Sequence, residues 1–212
     1  MGYKTEMVEC FMVEQDKDRK VKEIILKNAV ELFCRFGFVK TTMEDIAKAA
    51  GKGKSTLYHY YKNKDTIFDA VVDRELRGVL GDVKSAMRDE SSAAQKLRTY
   101  FKTFVFSTNQ KSAALISEIL RNELSENSSI IDRAKKRINA EEIRFIKEIL
   151  VTGAKTGEFI EISDKNVNHI AFALIMGVRT VSFDIIIETD SYNKWREPLE
   201  VMIELFIKGL SK

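Results

Sequence analysis

Proline is nearly absent from this sequence, and that absence excludes more than any other. One proline and ten glycines in 212 residues are too few turn-formers for a sandwich or barrel of short strands. Two cysteines, Cys10 and Cys34, rule out a disulfide scaffold or a cysteine-based zinc site and fit a reducing cytoplasm. His59 and His169 stand far apart, with no other histidine or cysteine at ligand spacing, so no metal or other cofactor is expected. Long apolar runs are missing too. The longest uncharged stretch, Asn166 to Val178, has 13 residues, against the roughly 20 that a bilayer span needs. The opening residues carry Lys4, Glu6 and Glu9 and hold no clean apolar signal region. No nucleophile–base pair stands out, and carboxylates such as Glu141 and Glu142 read as a solvated helix face, so an enzyme is not expected.

What is present reads as a soluble, all-α chain. Hydrophobic residues make up 44% and charged residues 32%, enough apolar material for a core. The net charge is only +3, but it is unevenly placed. Residues 17–65 hold 12 Lys/Arg against 6 Asp/Glu, while the rest of the chain has a net charge of −3. A basic segment on an acidic remainder points one end of the molecule at a polyanion.

The periodicity sets out the helices. Val21, Ile24, Ile25, Ala29, Leu32, Phe33 and Phe36 form one stripe over about 18–36. Gly37 stands where a left-handed stop belongs, leaving Phe38 free to fold back. Thr41 or Thr42 caps a second helix, with Glu44 or Asp45 completing a capping box, and Gly51 and Gly53 end it. A short third helix starts near Lys54, with Leu57 and Tyr61 inward. A fourth runs over about 64–83. Five more follow near 93–108, 112–124, 128–155, 164–188 and 197–210, with a Ser92–Gln95 capping box before the first and Pro198 in the opening turn of the last. Residues 1–16 read as a loosely ordered leader, 17–66 as a helix-turn-helix domain, and 67–212 as a helical bundle, with the fourth helix open to both.

Two short helices joined by a glycine turn can read DNA when the second presents polar side chains and cations flank both. Thr41 and Thr42 stand at a helix start, Lys52, Gly53 and Lys54 form the turn, and Ser55, Thr56, Tyr58, His59 and Tyr60 are left outside. Lys62 and Lys64 open the next helix, where the dipole also favours phosphate. Gly51-Lys52-Gly53-Lys54-Ser55-Thr56 is not a phosphate loop, because the first glycine of that motif would fall at Lys48 and no strand precedes it. Cys34 reads as core filler.

Over residues 20–68 the chain resembles the tetracycline-repressor (TetR) family of bacterial regulators. The resemblance rests on Ala29, Leu32-Phe33, Gly37-Phe38, Thr41-Thr42, Ile46-Ala47, Ala50-Gly51, Ser55-Thr56-Leu57-Tyr58-His59-Tyr60-Tyr61, Lys62-Asn63-Lys64-Asp65 and Phe68. It implies that Ser55, Thr56, Tyr58 and His59 enter the major groove and that Thr41, Thr42, Tyr60, Lys62 and Lys64 hold phosphates. One departure is the turn. The family has Gly, an apolar residue and Ser there, where this chain has Gly51-Lys52-Gly53. The resemblance further implies a regulator, in the usual case a repressor, that leaves a palindromic operator when a small effector binds. The alternative is a ligand-binding helical module with a vestigial reading head.

In the second part, aromatic residues recur at helical spacing. Most of them read as core, and a subset of Phe101, Phe104, Ile119, Phe145, Phe172 and Met176 are candidate walls of a largely apolar effector cavity. Arg179 lies in an otherwise apolar helix and needs a partner, either a carboxylate across a dimer seam or an anionic ligand. The last two helices are apolar on more than one face, through Ile170, Leu174, Val178, Ile186, Ile187, Leu199, Met202, Ile203 and Phe206 among others. That predicts a homodimer through a four-helix seam, with no membrane contact.

Overall fold

The computed structural model describes the backbone of residues 2–108, 110, 115–116, 119, 129–189 and 192–212. Within those ranges it describes the side chains of residues 16–180 and 196–212. Eight helices carry the described residues: α1 Gly2–Lys40, α2 Met43–Ala49, α3 Lys54–Tyr60, α4 Lys64–Ala86, α5 Ala93–Thr108, α6 Ser129–Lys155, α7 Asp164–Thr189 and α8 Tyr192–Leu210. No strand occurs among them beyond an isolated bridge between Phe159 and Ser211. The all-α expectation holds. The helix expected at 112–124 lies mostly outside the described residues. The chain divides into two compact units, one ending at Arg74 and the other beginning at Glu75, inside α4.

In the first unit, α1 begins at Gly2 rather than near residue 18. Between Tyr3 and Phe36 the chain has neither proline nor glycine to stop it. It is interrupted at Gly37, whose φ of 79° and ψ of 161° belong to a region essentially reserved for glycine. The turn carries Phe38 back, so that its ring meets Phe33 at 5.6 Å and Phe68 at 5.1 Å. Ile25, Ala29 and Phe33 are buried as expected, together with Leu26 and Val30, whereas Ile24 and Phe36 are exposed. The buried stripe is therefore rotated from the expected one. Three packed rings fix the corner between α1 and the start of α4, and Ile46, Ala47 and Leu57 complete the core beneath α2 and α3.

The second unit is a bundle in which α7 packs on both α6 and α8, and α5 packs on α6 and α8. Arg98 grips Glu204 with two hydrogen bonds of 2.6 and 2.8 Å, and Lys102 reaches Glu200 at 3.0 Å, joining α5 to α8. Helix α8 starts at Tyr192, so Pro198 falls inside it rather than in its first turn. Ser92 caps α5 through the Gln95 N–H at 3.0 Å. A second cap comes from far along the chain. The Glu158 carboxylate accepts the Ala93 and Ala94 N–H groups at 2.6 and 2.8 Å.

Burial pushes the Glu158 carboxyl up, but those backbone donors and Ser92 outweigh it, and its pKa falls below the usual 4.5. A carboxylate whose folded pKa is lowered adds stability above its unfolded pKa, and that stability disappears as pH falls through the folded value. Glu158→Gln should therefore cost about 1 kcal/mol at pH 7 and flatten the acid side of the stability profile. Urea unfolding at pH 7 and in the pH range below the unfolded pKa checks both.

Candidate nucleic-acid interface

The site grows from local capping. Thr42 is the N-cap of α2. Its hydroxyl accepts the Asp45 N–H at 3.1 Å, and the Asp45 carboxylate takes the Thr42 N–H at 2.9 Å and its hydroxyl at 2.6 Å. The hydrogen bond from the Thr42 hydroxyl is the main reason the Asp45 carboxyl sits below the usual carboxylate range. At the other end of α2, Gly51 N–H bonds Lys48 O at 3.1 Å and Lys52 N–H bonds Ala47 O at 2.9 Å. This two-bond lock needs a residue with positive φ, and Gly51 supplies 62°. The lock sets the angle at which the chain enters α3. Gly53, the N-cap of α3, offers no side-chain cap.

On α3 the separation of faces is clear. Leu57 is fully buried, while Lys54, Ser55, Tyr58 and His59 are exposed. Positions 54 and 58, 55 and 58, and 55 and 59 are three or four apart, which puts all four side chains on one side of the helix. Thr56 and Tyr60 flank it half-buried, as does Lys52 before it, and Lys62 is exposed just beyond. Lys54 has a loose 3.6 Å contact with Glu44, both well exposed, so its charge is free to meet a phosphate. His59 and Tyr60 meet edge-on at 4.9 Å.

Three expected phosphate ligands have other partners. Thr41 is only 2% exposed, and its hydroxyl donates to Gly37 O at 2.8 Å, so it clasps the α1 corner rather than facing outward. Lys64 drives its ammonium into the same corner, donating to Phe38 O at 2.6 Å and Val39 O at 3.0 Å, above the Phe38 ring. The carbonyls bared where Gly37 interrupts α1 are the physical reason. Tyr60 donates its hydroxyl proton to Asp18 at 2.6 Å, a hydrogen bond that pushes the phenol pKa up. It thereby ties the end of α3 to α1. Asp18, which sets that posture, carried no signal in the sequence, because 42 positions separate it from Tyr60.

The ligand-cavity candidates of the second unit also separate. Phe101, Phe104 and Ile119 are buried in its core, while Phe145 and Met176 are half-buried. Phe145 borders a hollow of about 290 Å³ shared with Lys84, Met87, Lys96 and Ile149. Phe172, on α7, is 45% exposed. Arg179 finds its partner within its own chain, since it is ion-paired with Glu142 and donates to Asn139 Oδ1 at 2.6 Å. Glu142 is 2% exposed and so does not belong to a solvated face. No cluster of three or more metal-ligating side chains occurs among the described residues, and no described helix is long and apolar enough to cross a membrane.

Comparison with known proteins agrees with this geometry. The model of the bacterial regulatory proteins of the tetR family matches residues 25–71, the span from the buried stripe of α1 into α4. The HTH-type transcriptional regulator YhgD of Bacillus subtilis (strain 168) is 26% identical over 196 residues, covering 90% of this chain and 96% of the relative. The biofilm operon icaADBC HTH-type negative transcriptional regulator IcaR of Staphylococcus epidermidis is 26% identical over 110 residues, 52% of this chain and 59% of its own length. Among solved structures, the transcriptional regulator FadR from Bacillus subtilis in complex with stearoyl-CoA shares the fold with a TM-score of 0.73 at 18% identity, over 89% of this chain and 98% of that one. The capping box, glycine lock and outward-facing α3 all fall within the matched span, so residues 25–71 form a domain of the tetR family of bacterial regulatory proteins.

Proposed function

We propose that this protein is a sequence-specific DNA-binding transcriptional regulator that represses from a palindromic operator and is released by a small, largely apolar effector held in the second unit. One observation carries the reading: Leu57 anchors α3 while Lys54, Ser55, Tyr58 and His59 stand exposed along its opposite face. Thr56 flanks the groove-reading face, and Lys52, Lys62 and the exposed cap at Thr42 are the positions for phosphate. Thr41, Lys64 and the Tyr60 hydroxyl act one step back, holding the corner and the tilt of α3. A gene regulator of this kind works in the cytoplasm and needs no catalytic group.

Effector and operator are coupled only if the effector favours the released state. Helix α4 is the element that continues from the first unit into the second, and it is the natural carrier of such a bias. The stearoyl-CoA bound to the FadR neighbour supports an effector with a long apolar part.

The regulator works as a homodimer through α7 and α8. Several of the apolar residues expected in that seam are core instead: Leu174, Val178, Leu199 and Ile203 are buried within the protomer, while Ile170, Met202 and Phe206 are half-buried and Ile186 and Ile187 lie outside the described side chains. The seam rests on what remains exposed, namely Phe172 on α7 and Val201 and Leu205 on α8, with Leu205 64% exposed. Leu205→Glu should convert the dimer to a folded monomer in analytical ultracentrifugation and weaken operator binding. An unchanged sedimentation coefficient would remove this seam.

Footprinting on the DNA upstream of the protein's own gene tests the main reading. Two protected half-sites should appear, spaced by one helical turn of about 10 base pairs or a multiple of it. An effector-binding module with a vestigial head would leave that DNA unprotected.

A further inference from the structure

The second unit holds a charged pair where apolar side chains would serve packing equally well. Arg179 is 12% exposed and Glu142 2% exposed, and the two are in direct contact. A buried ion pair adds little stability over well-packed hydrophobic residues of the same volume, so packing alone does not account for it. The surroundings are specific. Asn139 accepts one guanidinium N–H at 2.6 Å, and the Tyr100 hydroxyl donates to Glu142 Oε1 at 3.4 Å. The Tyr100 ring stacks on Phe104 at 5.7 Å and meets Phe145 at 5.3 Å. Phe145 in turn borders the hollow of about 290 Å³, so one ring belongs both to that lining and to the aromatic cluster around the pair. Arg179 Nε, a buried donor, has no hydrogen-bond partner among the described residues. Such a donor is costly to leave unmet.

We propose that the Arg179–Glu142 pair is the polar recognition element of the effector site, and that its ligand is uncharged, with an apolar body and one carbonyl oxygen, as in an amide, ester or thioester. The inference rests on the reading that the second unit binds an effector. The ligand oxygen accepts the Nε–H of Arg179, and its body lies in the hollow against the Phe145 ring. Charge bookkeeping selects the class. Arg179 and Glu142 already sum to zero. A carboxylate ligand would bring a second negative charge beside Glu142 into a low-dielectric interior with one cation to share. A neutral carbonyl satisfies the open donor and leaves the balance intact.

The test uses a near-isosteric pair, naphthylacetamide and naphthylacetate, titrated against the full-length protein by naphthyl fluorescence. The wild type should take the amide about tenfold more tightly than the acetate or better. Glu142→Gln unmasks the guanidinium and should move the ratio about tenfold or more toward the acetate. The double variant Glu142→Met with Arg179→Met keeps an apolar interior that folds and should bring the two affinities together. A wild type that prefers the acetate would place the ligand on Lys84 and Lys96 at the mouth of the hollow and overturn the assignment. So would binding of neither probe, or a ratio unchanged in Glu142→Gln. Operator binding is measured on the same samples without probe. Its loss would count against the DNA-binding reading, whereas retained operator binding with no amide preference would count against this inference alone.

Discussion

Arg179→Met should destabilise the second unit by about 3–5 kcal/mol, because it strands Glu142 as a lone buried carboxylate. For a chain of this size that corresponds to a fall in Tm on the order of 10 °C. Burial draws the Arg179 pKa down to about 10, which still leaves the guanidinium charged at neutral pH, so the interaction lost is ionic. The Tyr100 hydroxyl cannot substitute. Burial drives its pKa far up, keeping it a neutral donor to the carboxylate, and it brings no positive charge. The double variant in which both residues become methionine separates pairing from packing. It removes both charges at once and should be near the wild type in stability, or above it. Thermal unfolding of the two variants side by side measures the difference. A loss under 1 kcal/mol for Arg179→Met would mean that the guanidinium is in water and that Glu142 has another partner.

Simultaneous replacement of Lys52, Lys54 and Lys62 by alanine should weaken operator binding by about a hundredfold at 0.15 M salt and lower the slope of log K against log salt by about 2.7. Lys54 opens α3 while Lys52 and Lys62 flank it, and among the described residues none is committed to a carbonyl in the way that Lys64 is. Lys54 touches Glu44, but at 3.6 Å and with both side chains largely exposed that pair is worth little. Lys64→Ala behaves differently. It removes two hydrogen bonds from the α1 corner and a cation from above Phe38. Its effect on binding should therefore accompany a loss of stability in the first unit. Filter binding over a salt series, with unfolding of the same proteins, tells the two classes of lysine apart.

The reading head was legible because its signals are local. The Thr42–Asp45 box, the stop at Gly37, the lock at Gly51 and the start of α3 each depend on residues within about one turn of one another, and sequence spacing carries that information. What was misread depends on long-range contact. Thr41 and Thr42 are equivalent on paper, and only the fold turns one hydroxyl back to Gly37 and leaves the other at the cap. Lys64 reads as a cation at a helix start until the carbonyls of Phe38 and Val39 reach it across the corner.

In the second unit, Glu142 shows the same limit. Flanked by Glu141, Arg144 and Lys147, it reads as part of a solvated face. Yet it shares a side of α6 with Ile138, Ile146 and Ile149, all of them buried, and Arg179 supplies the charge that makes its burial tolerable. The need of Arg179 for a partner was apparent in the sequence, but the identity of that partner was not. Phe172 erred in the opposite direction, since an aromatic at core spacing on α7 turned out to face solvent.

The most direct test of the central claim is the affinity of the Tyr58→Ala variant for its operator and for an unrelated duplex, each across a salt series. If the exposed face of α3 reads bases, operator affinity drops toward the non-specific value by about 1–3 kcal/mol. Binding to unrelated DNA and both salt slopes should then stay as in the wild type. A loss of the same size on both duplexes, or on neither, would contradict the claim that this face enters a groove.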